Sequence, residues 1–542
     1  MNNFWIFNEN HDGTKKSRYI HTNDDEIHQK VGLSTHMITI TGFNYFLTLY
    51  TKLKSRGYKL AAADVEAAFL SSPMDTLSIN HNEIFLSRPH SKLFGSIIDK
   101  NNTKEFPGMV QVTNSVYGLA NSPRSFEVTF TKILNKIGFD QQVNYNWGFF
   151  TSFYFSKELG FIITHVDDIM ILSKNPSLVL QEISKIIKIK GNMNPERFLV
   201  LSLEITDLDI EIGLEHSINK LVEQLPPNIK QLVQKMSTGP SVLPTNSAFK
   251  FISKFDKNGL RAARKTKDIE VIALLEKQLH NTMFSNKFAP QDQLDQMYQE
   301  FNLETIQRIN GYMNWITMKA RPDLLHATKL LSKFVNESSV NCFVDWISLL
   351  AYLLQTKHYR LRYKFTDNLS NEIVLMSDAS EDKTDSALSF GGYFIFWKNN
   401  IITATSMVQT INANNSKQSE LYALHKGFEK LSELNPIIEW DIKIMNILQT
   451  SQIFRNIKVY TDNQALMLSL NSGDIAKTIK GTIYFHNMFK QIIQGKDLFA
   501  VPLQFKYIST KDNSADLLTK PLSSSAIQKI LTNTVIKNSF QI

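Results

Sequence analysis

From Phe161 to Leu172 the chain reads FIITHVDDIMIL, two apolar runs held apart by the adjacent acids Asp167 and Asp168. Runs of this kind on both sides of a short polar break fit a β-hairpin whose tight turn carries the acids. Neighbouring residues on a strand point to opposite faces, so the turn is what would bring the second carboxylate near the first. Carboxylates among apolar neighbours are costly unless cations neutralise them. Two Mg²⁺ ions would do so and would serve an in-line phosphoryl displacement. Asp64 interrupts a similar run, YKLAAADVEAAFL (Tyr58 to Leu70), and a neighbouring strand would bring it beside the pair. Taken singly, each acid also fits an ordinary turn or strand end.

A second set of acids follows residue 371, where the pattern becomes strand, strand, strand, helix, strand, helix. The strand IVLMSDAS (Ile373 to Ser380) carries Asp378, and GGYFIFWKNN and IITAT are expected to form a hairpin through Asn399 and Asn400. A helix from about Lys417 carries Leu421, Leu424, Phe428 and Leu431 on one face, with Glu420 near its first turn. The strand IKVYTDNQA ends on Asp462, and LQFKYISTKDNSADLLTKPL runs from a strand into a helix beginning near Asp516. Asp378, Glu420, Asp462 and Asp516, at strand ends or helix starts, suit a two-metal phosphodiesterase, although each alone fits a helix cap or a surface acid.

Length and composition bound the rest. The 542 residues exceed one hydrophobic core, and 59 basic against 51 acidic residues favour a polyanionic partner. A single cysteine, Cys342, excludes an intrachain disulfide and a Cys-rich zinc site and fits a reducing compartment. The N-terminus lacks a signal-peptide core, and no apolar stretch approaches the ~20 residues of a membrane-spanning helix, so a soluble chain is expected. Helical apolar spacing runs from Thr305 to Leu361, through Ile306, Ile309, Met313, Leu330, Leu331, Leu349, Leu350 and Leu353. Trp346, Trp397 and Tyr460 fit core packing better than base stacking.

The order of these motifs resembles the reverse transcriptase and ribonuclease H region of copia-type LTR retrotransposon Pol polyproteins. The segments that carry the resemblance are WIFNENHDGTKKSRYI (from Trp5), AADVEAAFL (from Ala62), EIFLSRP (from Glu83), SVYGLANSPRSF (from Ser115), HVDD (from His165), LSLEI (from Leu201) and ARPDLLHATKLLSKF (from Ala320). SDAS, SELYAL, YTDNQA and NSADLLTKPL resemble the nuclease half. The resemblance implies an α/β chain: the α+β palm of a right-hand polymerase with fingers and thumb, then a ribonuclease H-like α/β domain. The expected segments are fingers and palm (1–205), a thumb-like region (206–300), a helical connection (301–365), a ribonuclease H-like domain (366–525) and a tail (526–542).

It also implies that Asp64, Asp167 and Asp168 hold the polymerase metals, and Asp378, Glu420, Asp462 and Asp516 the nuclease metals. The ions would be Mg²⁺, with Mn²⁺ as an alternative, two per site. Phe69 would lie under the sugar and exclude a 2′-hydroxyl, or be a plain core phenylalanine; Tyr117 and Gly118 would line the nucleotide pocket, and Arg124 would meet template or primer phosphate. Lys15, Lys16 and Arg18 are candidates for the triphosphate or a plain solvated face. The implied partners are RNA template, DNA primer, RNA–DNA hybrid and deoxynucleoside triphosphates, with no membrane. The implied location is the cytoplasm, with virus-like particles and nuclear access open. His165, Ala120 and Ser202 depart from the family's usual Tyr, Lys and Gly. They keep open a decayed or co-opted element that binds nucleic acid without synthesis, beside a purely structural role in a ribonucleoprotein.

Overall fold

The computed structural model describes residues 2–9, 15–22, 37–73, 86–87, 110–111, 114–117, 122–142, 152–238, 300–333, 335, 340–365, 372–380, 389–450, 456–474, 483–520, 522, 527, 530 and 536–537. Most of the expected thumb-like region, and Gly118, Ala120 and Asn121, lie outside them. Two compact units emerge, Met1–Gly42 with Arg56–Phe198, and Phe43–Ser55 with Leu199–Ile542.

In the first unit, β1 (Asn2–Glu9) and β2 (Lys15–Thr22) form an antiparallel hairpin that places Lys15, Lys16 and Arg18 on β2. Helix α1 (Ile40–Leu53) starts in this unit and belongs to the second from Phe43 on. After β3 (Lys59–Val65), the short strands β4 (Leu86–Ser87) and β5 (Val110–Gln111) pair with each other. Helix α2 (Ser122–Lys136) leads to β6 (Asp140–Gln141), β7 (Phe153–Ser156), β8 (Gly160–His165) and β9 (Asp168–Ser173). Helix α3 (Pro176–Ser184), β10 (Ile189–Met193) and the two-residue β11 (Arg197–Phe198) complete it. The main sheet has the order β10-β3-β9-β8-β7-β6. Strand alternation separates its faces. Ala61, Ala63, Val65, Ile162, Ile169 and Ile171 pack with Phe126, Phe130, Ile133 and Leu134 of α2 and with Val179 and Ile183 of α3. This is a sheet with helices on one side, the layering expected of a palm.

The second unit holds β12 (Leu201–Ile205), β13 (Asp209–Gly213), α4 (Glu215–Glu223) and α5 (Pro227–Ser237). The apolar residues at helical spacing fall in α6 (Leu303–Ala320), α7 (Leu325–Ser332) and α8 (Val340–Gln355), where Ile306, Ile309, Met313, Leu331, Leu349, Leu350 and Leu353 are buried. Between α6 and α7, buried Arg321 grips Asp323 through two hydrogen bonds, of 2.9 and 2.7 Å, and donates to the Thr356 carbonyl. Strand β14 (Arg360–Lys364) pairs with β13. Residues expected as thumb-like, connection, ribonuclease H-like and tail segments thus share a unit with Phe43–Ser55.

The remaining elements are β15 (Ile373–Ser380), β16 (Phe390–Trp397), β17 (Asn400–Val408), α9 (Ser416–Glu433), α10 (Asn435–Ile447), β18 (Ile457–Thr461), α11 (Gln464–Ser472), α12 (Ile483–Gly495), β19 (Leu503–Tyr507) and β20 (Ile536–Lys537), the last paired with β14. Strands β15 to β19 build one sheet of order β17-β16-β15-β18-β19. Its first three strands are antiparallel, and β18 and β19 add in parallel after helical crossovers. The β16–β17 turn departs from expectation by one residue. Lys398 and Asn399, with φ of 51° and 59°, occupy the two central positions, as a type I′ turn demands. Asn400 is instead the first residue of β17, buried and bonded through its side-chain oxygen to the Lys364 N–H. Trp346 and Trp397 are wholly buried, as core residues.

Candidate active sites

The β8–β9 hairpin closes through a two-residue turn, Val166–Asp167, with His165 and Asp168 as its paired ends. Val166 has φ of 58°, a left-handed conformation that costs a β-branched residue about 1–2 kcal/mol. Such a turn survives because its neighbours hold it. Strand β3 lies against β9 with Asp64 directly opposite Asp168, and the Val65 N–H donates to the Asp167 carbonyl at 2.9 Å. Directly opposed residues share a sheet face, so Asp64 and Asp168 face the same way, away from the α2–α3 core. Asp64 is exposed, and Asp167 and Asp168 are half-buried. Phe69 meets Tyr117 with ring centroids 5.1 Å apart and planes tilted by 60°, and also packs on the sheet core. Arg124, in the first turn of α2, pairs with Glu127 at 2.8 Å.

In the second unit three acids from three elements converge. Asp378 of β15, Glu420 of α9 and Asp462, just past β18, bring one carboxylate oxygen each to within 4.8 Å of one another. Helix α9 is positioned by its N-cap, where the Asn415 side chain accepts the Gln418 N–H. Its Leu421, Leu424, Phe428 and Leu431 bury the face on which Glu420 points inward. Glu420 Oε1 accepts the Ala379 N–H at 3.3 Å, while its Oε2 is buried with no hydrogen-bond partner among the described residues. An orphaned carboxylate oxygen costs a few kcal/mol unless a cation meets it. The triad therefore fits a divalent metal, which prefers such oxygen ligands. Burial pushes the Asp378 carboxyl up to about 7, against the opposing pull of Lys520, with Asp516 and Asp462 adding to the rise. Burial also raises Glu420 well above the ordinary range, with Asp378 and Asp462 adding to it.

Asp516 reaches the same region by another route. It sits in a 3₁₀ turn (Ser514–Leu518) rather than at the start of a regular helix, because the segment is tied to the sheet residue by residue. The Asn513 side chain donates to the Ser377 carbonyl, Ser406 to the Leu518 carbonyl and Ser380 to the Thr519 carbonyl. Gly392, opposite Asp378 on β16, permits the approach: a Cβ there would lie 2.5 Å from Leu518 Cβ. Thr519 Oγ1 donates to Asp378 Oδ2, and Thr510 Oγ1 to Asp462 Oδ2 at 2.9 Å. Lys520 Nζ lies 2.9 Å from Asp516 Oδ1 and 3.5 Å from Asp378 Oδ2. Thr510, Thr519 and Lys520 are site residues that carboxylate spacing does not reveal; the signal was their place in the run that holds Asp516.

Residues 38–229 match the family described as reverse transcriptase (RNA-dependent DNA polymerase). Over 98% of this chain, the truncated transposon Ty1-A Gag-Pol polyprotein of Saccharomyces cerevisiae is 23% identical and the Ty1-LR3 polyprotein 22% identical. The chain spans 39% and 27% of those relatives' own lengths. Among solved structures, LC11-RNase H1 isolated from compost overlaps 30% of this chain and 99% of its own, at 20% identity and a TM-score of 0.22. A prototype foamy virus protease–reverse transcriptase overlaps 97% of this chain and 74% of its own, at 12% identity and a TM-score of 0.22. The ribonuclease H-like assignment of the second sheet rests on its strand order and on the motifs that build its acid site. The class is therefore a reverse transcriptase joined to a ribonuclease H-like fold. Within that class, the chain is similar over nearly its whole length to the Ty1 Gag-Pol polyproteins, with the reverse transcriptase family match confined to residues 38–229.

Proposed function

We propose that this chain is an RNA-directed DNA polymerase with ribonuclease H activity from an LTR retrotransposon. The observation that carries the reading is the convergence of Asp378, Glu420 and Asp462 within a chain whose first unit sets Asp64 opposite Asp168. In the nuclease half, Asp378, Glu420 and Asp462 would hold the metal, with Asp516 beside them. Mg²⁺, or Mn²⁺ in its place, when bound supplies the positive charge that a phosphodiester displacement needs and lowers the pKa of water. The protein's own part is positional. Thr519 and the Ala379 N–H orient Asp378 and Glu420, Thr510 orients Asp462, and burial of the site limits bulk water.

In the polymerase half, Asp64, Asp167 and Asp168 would hold the ions for nucleotide addition. Phe69, braced by Tyr117, would stand beneath the deoxyribose, and Arg124 would exchange Glu127 for a phosphate. Gly118 belongs to the same proposed pocket. The partners in this reading are RNA template, DNA primer, the RNA–DNA hybrid and deoxynucleoside triphosphates. Basic residues would contact phosphates, and the hybrid would be selected by its shape and 2′-hydroxyls. The proposed location is the cytoplasm, in virus-like particles, with access to the nucleus. Among the described residues no helix is long and apolar enough to cross a membrane.

One observation favours a second reading, a nuclease or nucleic-acid-binding protein without synthesis. Among the described residues the nuclease acids converge within 4.8 Å, whereas Asp64, Asp167 and Asp168 do not form such a group. His165 also replaces the usual Tyr. Primer extension on an RNA template and hybrid cleavage, run on one preparation with Mg²⁺ or Mn²⁺, separate the readings. Both activities support the first; cleavage without extension selects the nuclease form of the second; neither activity removes the first and leaves only the nucleic-acid-binding form of the second.

A further inference from the structure

Lys520 is the one described cation within reach of both Asp378 and Asp516. It follows the 3₁₀ turn that carries Asp516 and lies one helical turn's spacing beyond it. Its ammonium is 2.9 Å from Asp516 Oδ1 and 3.5 Å from Asp378 Oδ2, and the side chain keeps one third of its surface exposed. Asp378 is thus shared. One of its carboxylate oxygens belongs to the triad with Glu420 and Asp462, and its Oδ2 meets Lys520 and the Thr519 hydroxyl. Asp516, by contrast, is outside the group of three acids that come within 4.8 Å of one another.

We propose that Lys520 is a resident cation that holds the Asp378–Asp516 side of the nuclease site, making the site unequal toward metal. One divalent ion binds firmly on Asp378, Glu420 and Asp462; a second binds weakly, because it must displace the ammonium. The inference rests on the nuclease reading above.

The chemistry follows from charge and reach. An ammonium is a compact point charge that satisfies carboxylate lone pairs without orienting water or phosphate as a divalent ion does. A lysine ammonium is a cation across the working range of pH, and here two carboxylates lie within 2.9 and 3.5 Å of it. Its flexible stem and exposed third give it a way out to solvent, so displacement requires no backbone movement. Lys520 is a positioning residue in this scheme: it sets which carboxylates are free to take an ion.

The test is Mn²⁺ binding to the full chain, followed by calorimetry and by electron paramagnetic resonance, which distinguishes a lone ion from a coupled pair about 4 Å apart. Asp378→Asn identifies the ions that belong to this site, since any ion it abolishes was held there. Among the ions lost in Asp378→Asn, the expected result is one firm ion in the native chain, with a second at least tenfold weaker. Lys520→Met should tighten the second ion about tenfold or more and bring the coupled signal in at lower Mn²⁺, whereas Lys520→Arg should keep the inequality. Two Asp378-dependent ions of equal affinity in the native chain overturn the proposal, as does a Lys520→Met protein with unchanged second-ion affinity; both leave the nuclease reading in place. No ion sensitive to Asp378→Asn overturns both.

Discussion

Asp168 stands directly opposite Asp64 across the antiparallel β3–β9 pair, one residue from the point where the Val65 N–H holds the Asp167 carbonyl. The two acids therefore keep their alignment through backbone pairing alone, whatever their side chains become. Asp168→Asn should leave the sheet intact and lower primer extension at least about a hundredfold, equivalent to about 2.7 kcal/mol of barrier. Hybrid cleavage should stay within about twofold, because its acids lie in the other unit. Parallel loss of both activities in one preparation would sink the assignment of Asp168 to polymerisation.

Glu420→Gln makes the opposite demand on stability and function. Without metal, the native carboxylate is buried beside Asp378 and Asp462, with Oε2 unmet among the described residues. Replacing it by the neutral amide removes like-charge repulsion, so metal-free protein in chelator should gain about 1–3 kcal/mol. Hybrid cleavage should fall by at least about a hundredfold. Melting curves with and without Mn²⁺ check both halves: the variant should melt higher than the native chain in chelator and respond less to the ion.

The ion pair between Lys52 and Asp441 offers a stability test remote from either site. Lys52 Nζ lies 2.9 Å from both carboxylate oxygens of Asp441, Tyr45 donates to the same carboxylate at 2.8 Å, and all three side chains are buried. Removing one partner leaves an uncompensated buried charge. Lys52→Met or Asp441→Asn alone should cost about 3–5 kcal/mol, and the double replacement less than the sum. Urea unfolding of the four proteins measures this; additive losses would contradict the coupling.

Asp345 predicts a pH dependence. Burial raises its carboxyl to about 8, and Oδ2 has no hydrogen-bond partner among the described residues. The folded form therefore binds a proton that the unfolded chain releases near its ordinary value. Between about pH 4 and 8 the folded state holds more protons, so the contribution of this group to stability falls as pH rises. Asp345→Asn should unfold at higher urea than the native chain at pH 8, with the difference shrinking toward pH 4.5. A constant difference across that range would show that Asp345 does not titrate in the fold.

Much of the candidate chemistry was legible because strand alternation and apolar runs act locally. The run FIITHVDDIMIL specifies a hairpin, and β15 occupies the segment from Ile373 to Ser380 that its pattern marks. What stayed hidden depends on long-range packing. The turn moved from Asn399–Asn400 to Lys398–Asn399 because Asn400 is a buried partner of Lys364, a relation absent from local spacing. The 3₁₀ turn around Asp516 depends on Gly392, Ser377, Ser380 and Ser406, all more than 100 positions earlier. Likewise, nothing around Lys52 announces a partner in the Asp441 region.

That last separation has a consequence during synthesis. Lys52 and Asp441 are 389 positions apart, so at ribosomal speeds of about 5–20 residues per second the lysine emerges about 20–80 s before its carboxylate. Throughout that interval the Phe43–Ser55 segment lacks the elements it finally packs among. Residues from Phe43 to Ser55 must remain outside their final setting while Arg56–Phe198 are already complete. The buried ion pair of helix α1 therefore cannot close until the Asp441 region has been made, and a message interrupted before it yields a product whose Lys52 lacks its carboxylate.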